Sequence, residues 1–196
     1  MSNLVLASTS VYRTALLKRL GIPFHTVSPA FDEDAEKLNL VQQQASPTLI
    51  AETLSRGKAL SVRQKNSTTI AGDQLVHLNG TILGKSHNFE NACKQLNLLQ
   101  GKTHELITAI TIISDTQTFH TNHVTRLTMK NLTQQKIENY LRIDQPFDCA
   151  GSYKIENAGI ALFDKIETDD FTAIQGIPLM WVANVLKELK YEFFQS

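Results

Sequence analysis

The chain opens on a change of period. Leu4-Val5-Leu6-Ala7 is an unbroken apolar run of the kind that suits a buried strand. Ser8-Thr9-Ser10 interrupts it, and Ala15, Leu16, Leu17 and Leu20 then recur at helical spacing. Ser10 is placed as the N-cap of that helix, and Gly21 followed by Pro23 as its stop. Strand-like and helix-like segments thus alternate from the start.

The alternation continues. Residues 24–27 read as a second strand, and Ala30-Phe31-Asp32-Glu33-Asp34 opens an acidic loop. Ser46-Pro47 starts a helix with Leu49, Ile50, Leu54, Ala59 and Val62 on its apolar side. The β-branched run at 68–71 ends in Gly72-Asp73-Gln74, and residues 75–78 and 81–83 flank Asn79-Gly80, a tight-hairpin signature. Residues 89–99 are helical and stop at Gly101. Residues 106–113 and 118–129 form long antiparallel strands, and 133–141 a helix. Cys149-Ala150-Gly151-Ser152 begins a structured turn, 160–166 is a strand, and Pro178 begins a last helix reaching about Lys190. This mixture predicts an α/β fold: a mixed sheet with flanking helices, one domain over residues 1–196, built as two lobes around a cleft.

Composition narrows the partners. Hydrophobic residues make up 42% and charged residues 19%, which supports a packed interior. Nineteen basic residues balance nineteen acidic ones, so no overall field draws the chain to nucleic acid or to an acidic membrane. Cys93 and Cys149 are too few for a disulfide framework or a four-thiolate zinc site and read as reduced thiols. There is no basic leader and no apolar run near the ~20 residues of a membrane span. The expectation is a cytoplasmic protein. His120 and His123, three apart in a strand, fall on opposite faces, so zinc is not expected. No Walker loop, dinucleotide fingerprint or nucleophile elbow is present.

Four places carry candidate chemistry. Ser8, Ser10 and Arg13 cluster at a strand-to-helix turn, where free N–H groups, hydroxyls and a guanidinium fork suit phosphate. Read alone, they also fit a capped helix with a solvated arginine. Asp73 stands at a strand end beside Gly72, where a carboxylate can bind a metal or take a proton from water, and equally where a turn aspartate is common. Asp32, Glu33 and Asp34 are either a solvated charge run or a second source of metal ligands; magnesium needs only one or two carboxylates beside substrate phosphates. Lys58 and Lys85 are uninformative singly, although Gly84-Lys85 closes the hairpin that Asp73 begins.

In order along the chain, these segments resemble the Maf family of nucleoside triphosphate pyrophosphatases. The resemblance rests on Leu6-Ala7-Ser8-Thr9-Ser10 with Arg13, Asp32-Glu33, Lys58-Ala59, Gly72-Asp73-Gln74, Gly84-Lys85, Ala150-Gly151-Ser152-Tyr153-Lys154 and Gly176-Ile177-Pro178-Leu179. It is closest to the YceF-like branch, whose members act on 7-methyl-GTP. Three positions associated with base choice fall on Tyr12, Gln74 and Glu156. A methylated guanine is cationic, which suits an aromatic face and a carboxylate. Against the usual pattern, Tyr12 replaces Trp, Val11 and Ser86 replace Pro, Thr14 replaces Arg, and Gly57 replaces Glu.

The resemblance implies an enzyme with a Maf/ITPase-like fold and a nucleotide-binding cleft. It would hydrolyse 7-methyl-GTP to 7-methyl-GMP and pyrophosphate. Asp73 would be the general base, Lys58 and Lys85 would offset leaving-group charge, and Ser8, Ser10 and Arg13 would hold the triphosphate. Glu33 and Asp73 would bind a divalent cation, Mg2+ or Mn2+. The implied partners are a small nucleotide and a second copy of the chain in a homodimer. The competing expectations are a pyrophosphatase for dTTP, UTP or modified pyrimidine nucleotides, and a non-catalytic nucleotide-binding regulator of cell division.

Overall fold

The computed structural model describes residues 3–194. β1 (Asn3–Ala7) turns into α1 (Val11–Lys18), and β2 (His25–Val27) returns parallel to β1. α2 (Glu33–Gln42) and α3 (Pro47–Val62) precede β3 (Ser67–Leu78) and β4 (Thr81–Leu83). α4 (Phe89–Leu99), β5 (Thr103–Ile113), β6 (Thr118–Met129) and α5 (Gln134–Asp144) follow. A 3-10 turn (Ala158–Leu162), β7 (Phe163–Glu167), α6 (Phe171–Ile174) and α7 (Leu179–Glu188) complete the order. The strands form one sheet, β2-β1-β3-β5-β6-β7, with β4 paired to β3. β1 is parallel to β2 and β3, whereas β3–β4 and β6–β7 are antiparallel. The expected mixed sheet with flanking helices is thus present.

Two compact units divide the chain. The first holds residues 1–73, 108–123 and 170–196, and the second holds 74–107 and 124–169. In the first unit, side-chain alternation along β1 sorts the core into two layers. Leu4 and Leu6 join Ile70, Ile110 and Ile112 beneath Leu16 and Leu17 of α1 and Val182, Val185 and Leu186 of α7. Val5 and Ala7 point the other way and pack with Ala71 and Ile113 against Ala59 and Val62 of α3. Each of the valines, leucines and isoleucines among them contributes roughly 1.5–3 kcal/mol by leaving water. A one-residue slip of β1 would turn Leu4, Val5, Leu6 and Ala7 to the wrong layers.

The register sets the functional end of this unit. The last β1–β3 pair is Ala7↔Ala71. β3 then runs on without its parallel neighbour, so Gly72 and Asp73 emerge just past the carboxyl end of β1. Ser8 and Ser10 leave from the same end, and Ser10 caps α1 by accepting from the Arg13 N–H. Carboxyl ends of parallel strands are where α/β sheets expose their binding groups.

In the second unit, Asn79 and Gly80 take φ of 50° and 85°, the conformation a two-residue hairpin needs between Leu78 and Thr81. Lys85 bridges antiparallel to Ala150. The turn after it is anchored from several sides. Ser152 Oγ donates to Gln95 Oε1 at 2.7 Å, and the Lys154 N–H donates to the Tyr140 hydroxyl at 2.9 Å.

Several expectations need correction. The acidic stretch is not a loop beyond Asp32: Asp32 is an N-cap accepting from the Ala35 N–H, and Glu33, Asp34 and Glu36 lie in the first turn of α2. Acids there complement the positive end of the helix, a signal that outweighs their look of a solvated run. Asp73 is inside a 12-residue strand rather than at its end. Residues 160–166 split into the 3-10 turn and β7. Leu49 is 48% exposed and so does not belong to the apolar side of α3.

Candidate active site

Asp73 and Lys58 are the centre of the first unit's polar end. Ala71 of β3 packs against Ala59 and Val62 of α3, and Asp73, two residues further along the strand, projects from the same side. Lys58 Nζ donates to Asp73 Oδ1 at 2.7 Å, and both residues are buried. Glu33 Oε2 reaches the same ammonium from α2 at 2.6 Å. One cation therefore sits between two carboxylates carried on a strand and a helix.

Gly57 lies on α3, one residue before Lys58 and two after Ser55. The Phe31 ring lies against it, where any Cβ would overlap the ring atoms Cε2 and Cζ. A side chain at 57 would require the Phe31 ring to move. The glycine that departs from the family's usual glutamate is thus a packing device here.

Arg13 occupies the opposite layer of the same strand end. Its Nε donates to the Gly176 carbonyl at 3.2 Å, and a Cβ on Gly72 would stand 3.4 Å from that Nε. Close packing lowers the guanidinium pKa from its ordinary value, while the negative charges of Asp73 and Glu33 act to raise it. Ser8 is buried, and its hydroxyl accepts from the Ser10 N–H at 3.1 Å. Hydroxyls, helix N–H groups and a guanidinium are groups suited to an anion, and a buried carboxylate is a group that can take a proton.

A family description, Maf-like protein, matches residues 3–189. The chain belongs to the Maf-like family. It is 47% identical over 184 residues to a 7-methyl-GTP pyrophosphatase of Bdellovibrio bacteriovorus, covering 94% of this chain and 95% of that one. It is 38% identical over 191 residues to a 7-methyl-GTP pyrophosphatase of Syntrophotalea carbinolica, covering 95% and 94% of the two chains. A 7-methyl-GTP pyrophosphatase of Xanthomonas axonopodis pv. citri is 38% identical over 194 residues, covering 98% and 99%.

In this Maf-like chain, Ser8, Ser10, Arg13, Glu33, Lys58 and Asp73 fall in one unit, as does the half-buried Tyr12. Lys85, Gln74 and Glu156 belong to the other, where Lys85 and Glu156 are exposed and Gln74 half-buried. The sequence reading left Gly176 without a role, and its carbonyl proves to be the Arg13 acceptor. The one local signal was its place in Gly176-Ile177-Pro178-Leu179. No clusters of three or more His, Cys, Asp or Glu suited to a metal occur among the described residues. No helix among the described residues is long and apolar enough to cross a membrane.

Proposed function

We propose that this Maf-like protein hydrolyses 7-methyl-GTP between the α- and β-phosphates, releasing 7-methyl-GMP and pyrophosphate. The observation that carries the chemistry is Asp73, buried and ion-paired past the carboxyl end of β1, on the opposite side of β3 from Arg13. The substrate assignment draws on the relatives' common activity.

Ser8, Ser10, Arg13 and the first N–H groups of α1 hold the triphosphate. Asp73 takes the proton of the attacking water as that oxygen bonds to the α-phosphorus, and the bridging oxygen leaves with pyrophosphate. Lys58 offsets the charge of the leaving group, a role the family resemblance gives to Lys85 as well. Such a reaction depends mainly on positioning and on charge stabilisation.

A divalent cation fits the donor set. Glu33 and Asp73 supply oxygens that already converge on one positive charge, and magnesium asks for one or two carboxylates with phosphates completing its shell. Bound there, Mg2+ or Mn2+ neutralises phosphate charge. The family resemblance assigns base choice to Tyr12, Gln74 and Glu156, and an aromatic face and a carboxylate suit a cationic base. Free thiols at Cys93 and Cys149 agree with a reducing cytoplasm, and the family resemblance supports a homodimer.

The test is pyrophosphate release from a panel of 7-methyl-GTP, GTP, dTTP and UTP, with and without magnesium. Preference for 7-methyl-GTP in magnesium alone supports the assignment. Preference for dTTP or UTP moves the substrate to a pyrimidine, and binding without pyrophosphate release from any of them leaves a regulator.

A further inference from the structure

Arg13 is held in a slot walled by two glycines. A Cβ on Gly72 would stand 3.4 Å from Nε, and one on Gly176 would stand 3.2 Å from Cγ and 3.4 Å from Nε. The Gly176 carbonyl accepts from Nε, not from the terminal amino groups. That bond fixes the rotation of the guanidinium plane while leaving its forked end to meet an anion.

The loop that presents Gly176 is itself tied shut. Asp170 is buried, and its Oδ1 accepts from the Thr172 N–H at 2.9 Å and from the Thr172 hydroxyl. Thr172 Oγ1 in turn accepts from the Leu179 N–H at 2.9 Å, and Asp170 Oδ2 accepts from the Met180 N–H at 2.8 Å. One carboxylate and one hydroxyl thus join the start of α6 to the start of α7. Thr108 of β5 pins the enclosed segment by donating to the Ala173 carbonyl at 2.9 Å. Gly176 has φ +120°, which a residue with a side chain rarely adopts, so the loop geometry depends on this position.

We propose that Asp170 and Thr172 are positioning residues for phosphate recognition, acting through Gly176 to aim Arg13. The inference rests on the reading of Arg13 as a triphosphate ligand. A long, flexible arginine loses rotamer freedom when it grips a phosphate, and the clasp removes that freedom beforehand. Without the clasp the fold can persist, while the anion meets an arginine that must first be ordered.

The test is a set of double-mutant cycles in magnesium, read by calorimetric binding of inorganic tripolyphosphate and by kcat and KM for 7-methyl-GTP, with Tm measured for each variant. Gly176→Ala, Thr172→Val and Asp170→Asn are each made in the wild type and in Arg13→Ala. Each is expected to weaken tripolyphosphate binding about 10-fold in the wild type, the scale of a misplaced charge-assisted hydrogen bond. Thr172→Ser, which keeps the hydroxyl, is expected to bind within about twofold of wild type. In Arg13→Ala the same three substitutions become nearly silent, because the group they act through is gone. Equal losses with and without Arg13, or no loss in the wild type, overturn the proposal. Asp170→Asn and Gly176→Ala decide the matter if Thr172→Val fails to fold. Tripolyphosphate has no base, so the outcomes separate: coupling without hydrolysis of 7-methyl-GTP overturns the substrate reading alone, and hydrolysis without coupling overturns the clasp alone.

Discussion

Lys58 donates to Asp73 across the gap between α3 and β3 at 2.7 Å, with 11% of the lysine side chain and 7% of the aspartate side chain exposed. Glu33 shares the same ammonium at 2.6 Å but is 45% exposed. The two contacts are alike in length and unlike in cost, because solvent screens only one of them.

Lys58→Met is therefore expected to destabilise the fold by about 3 kcal/mol, since it strands a buried carboxylate. Glu33→Gln is expected to cost less than about 1 kcal/mol. Urea denaturation of the two variants checks this, and equal losses would count against the buried pair as the structural anchor of the site.

Gly57→Ala tests how Glu33 is placed. Helix propensity alone predicts a gain of about 1 kcal/mol from replacing a mid-helix glycine. The Phe31 ring must shift to admit the added methyl, and the expected result is a lower Tm and a higher magnesium requirement for turnover. A raised Tm with unchanged magnesium dependence would show that Phe31 moves aside freely and does not set Glu33.

Much of this arrangement was legible in local sequence, and the reason differs from part to part. Ser10 as N-cap, the Asn79-Gly80 turn and the unbroken apolar run of β1 are short-range effects, and all three are present. Asp73 beside Gly72 looked like a strand end because glycine and aspartate are poor strand formers. The strand continues because β4 and β5 pair with it, which no local pattern announces. Lys58 read as one lysine among many, since its two partners come from α2 and β3, outside its own local sequence pattern. The Arg13–Gly176 contact spans 163 residues, and neither end carries a local sign of the other.

His104 in the second unit gives a pH prediction. Its Nε2 lies 3.2 Å from the Tyr153 hydroxyl, its Nδ1 has no partner, and burial foremost, with His77 second, lowers its pKa to about 4. The unfolded chain binds a proton near pH 6.5 and the folded chain only near 4, so this stability is complete above 6.5 and is lost as pH falls toward 4. Between pH 7 and 4 the wild type is expected to lose about 3 kcal/mol more than His104→Phe. Parallel stability curves for the two proteins would remove His104 as the acid-sensitive group.

Glu156→Gln is expected to lower the ratio of kcat/KM for 7-methyl-GTP over GTP about 10-fold, the scale of one charge-assisted hydrogen bond. Tyr12→Leu should act in the same direction through the lost ring face, and more weakly. An unchanged ratio in both variants would place base recognition on other residues.

The central claim is that Asp73 activates water at the α-phosphate, and Asp73→Asn addresses it directly. Pyrophosphate release from 7-methyl-GTP in magnesium should fall ~10²-fold or more, the range of lost general-base assistance, while the variant still binds the nucleotide. Near-normal turnover in a folded Asp73→Asn protein would contradict the account.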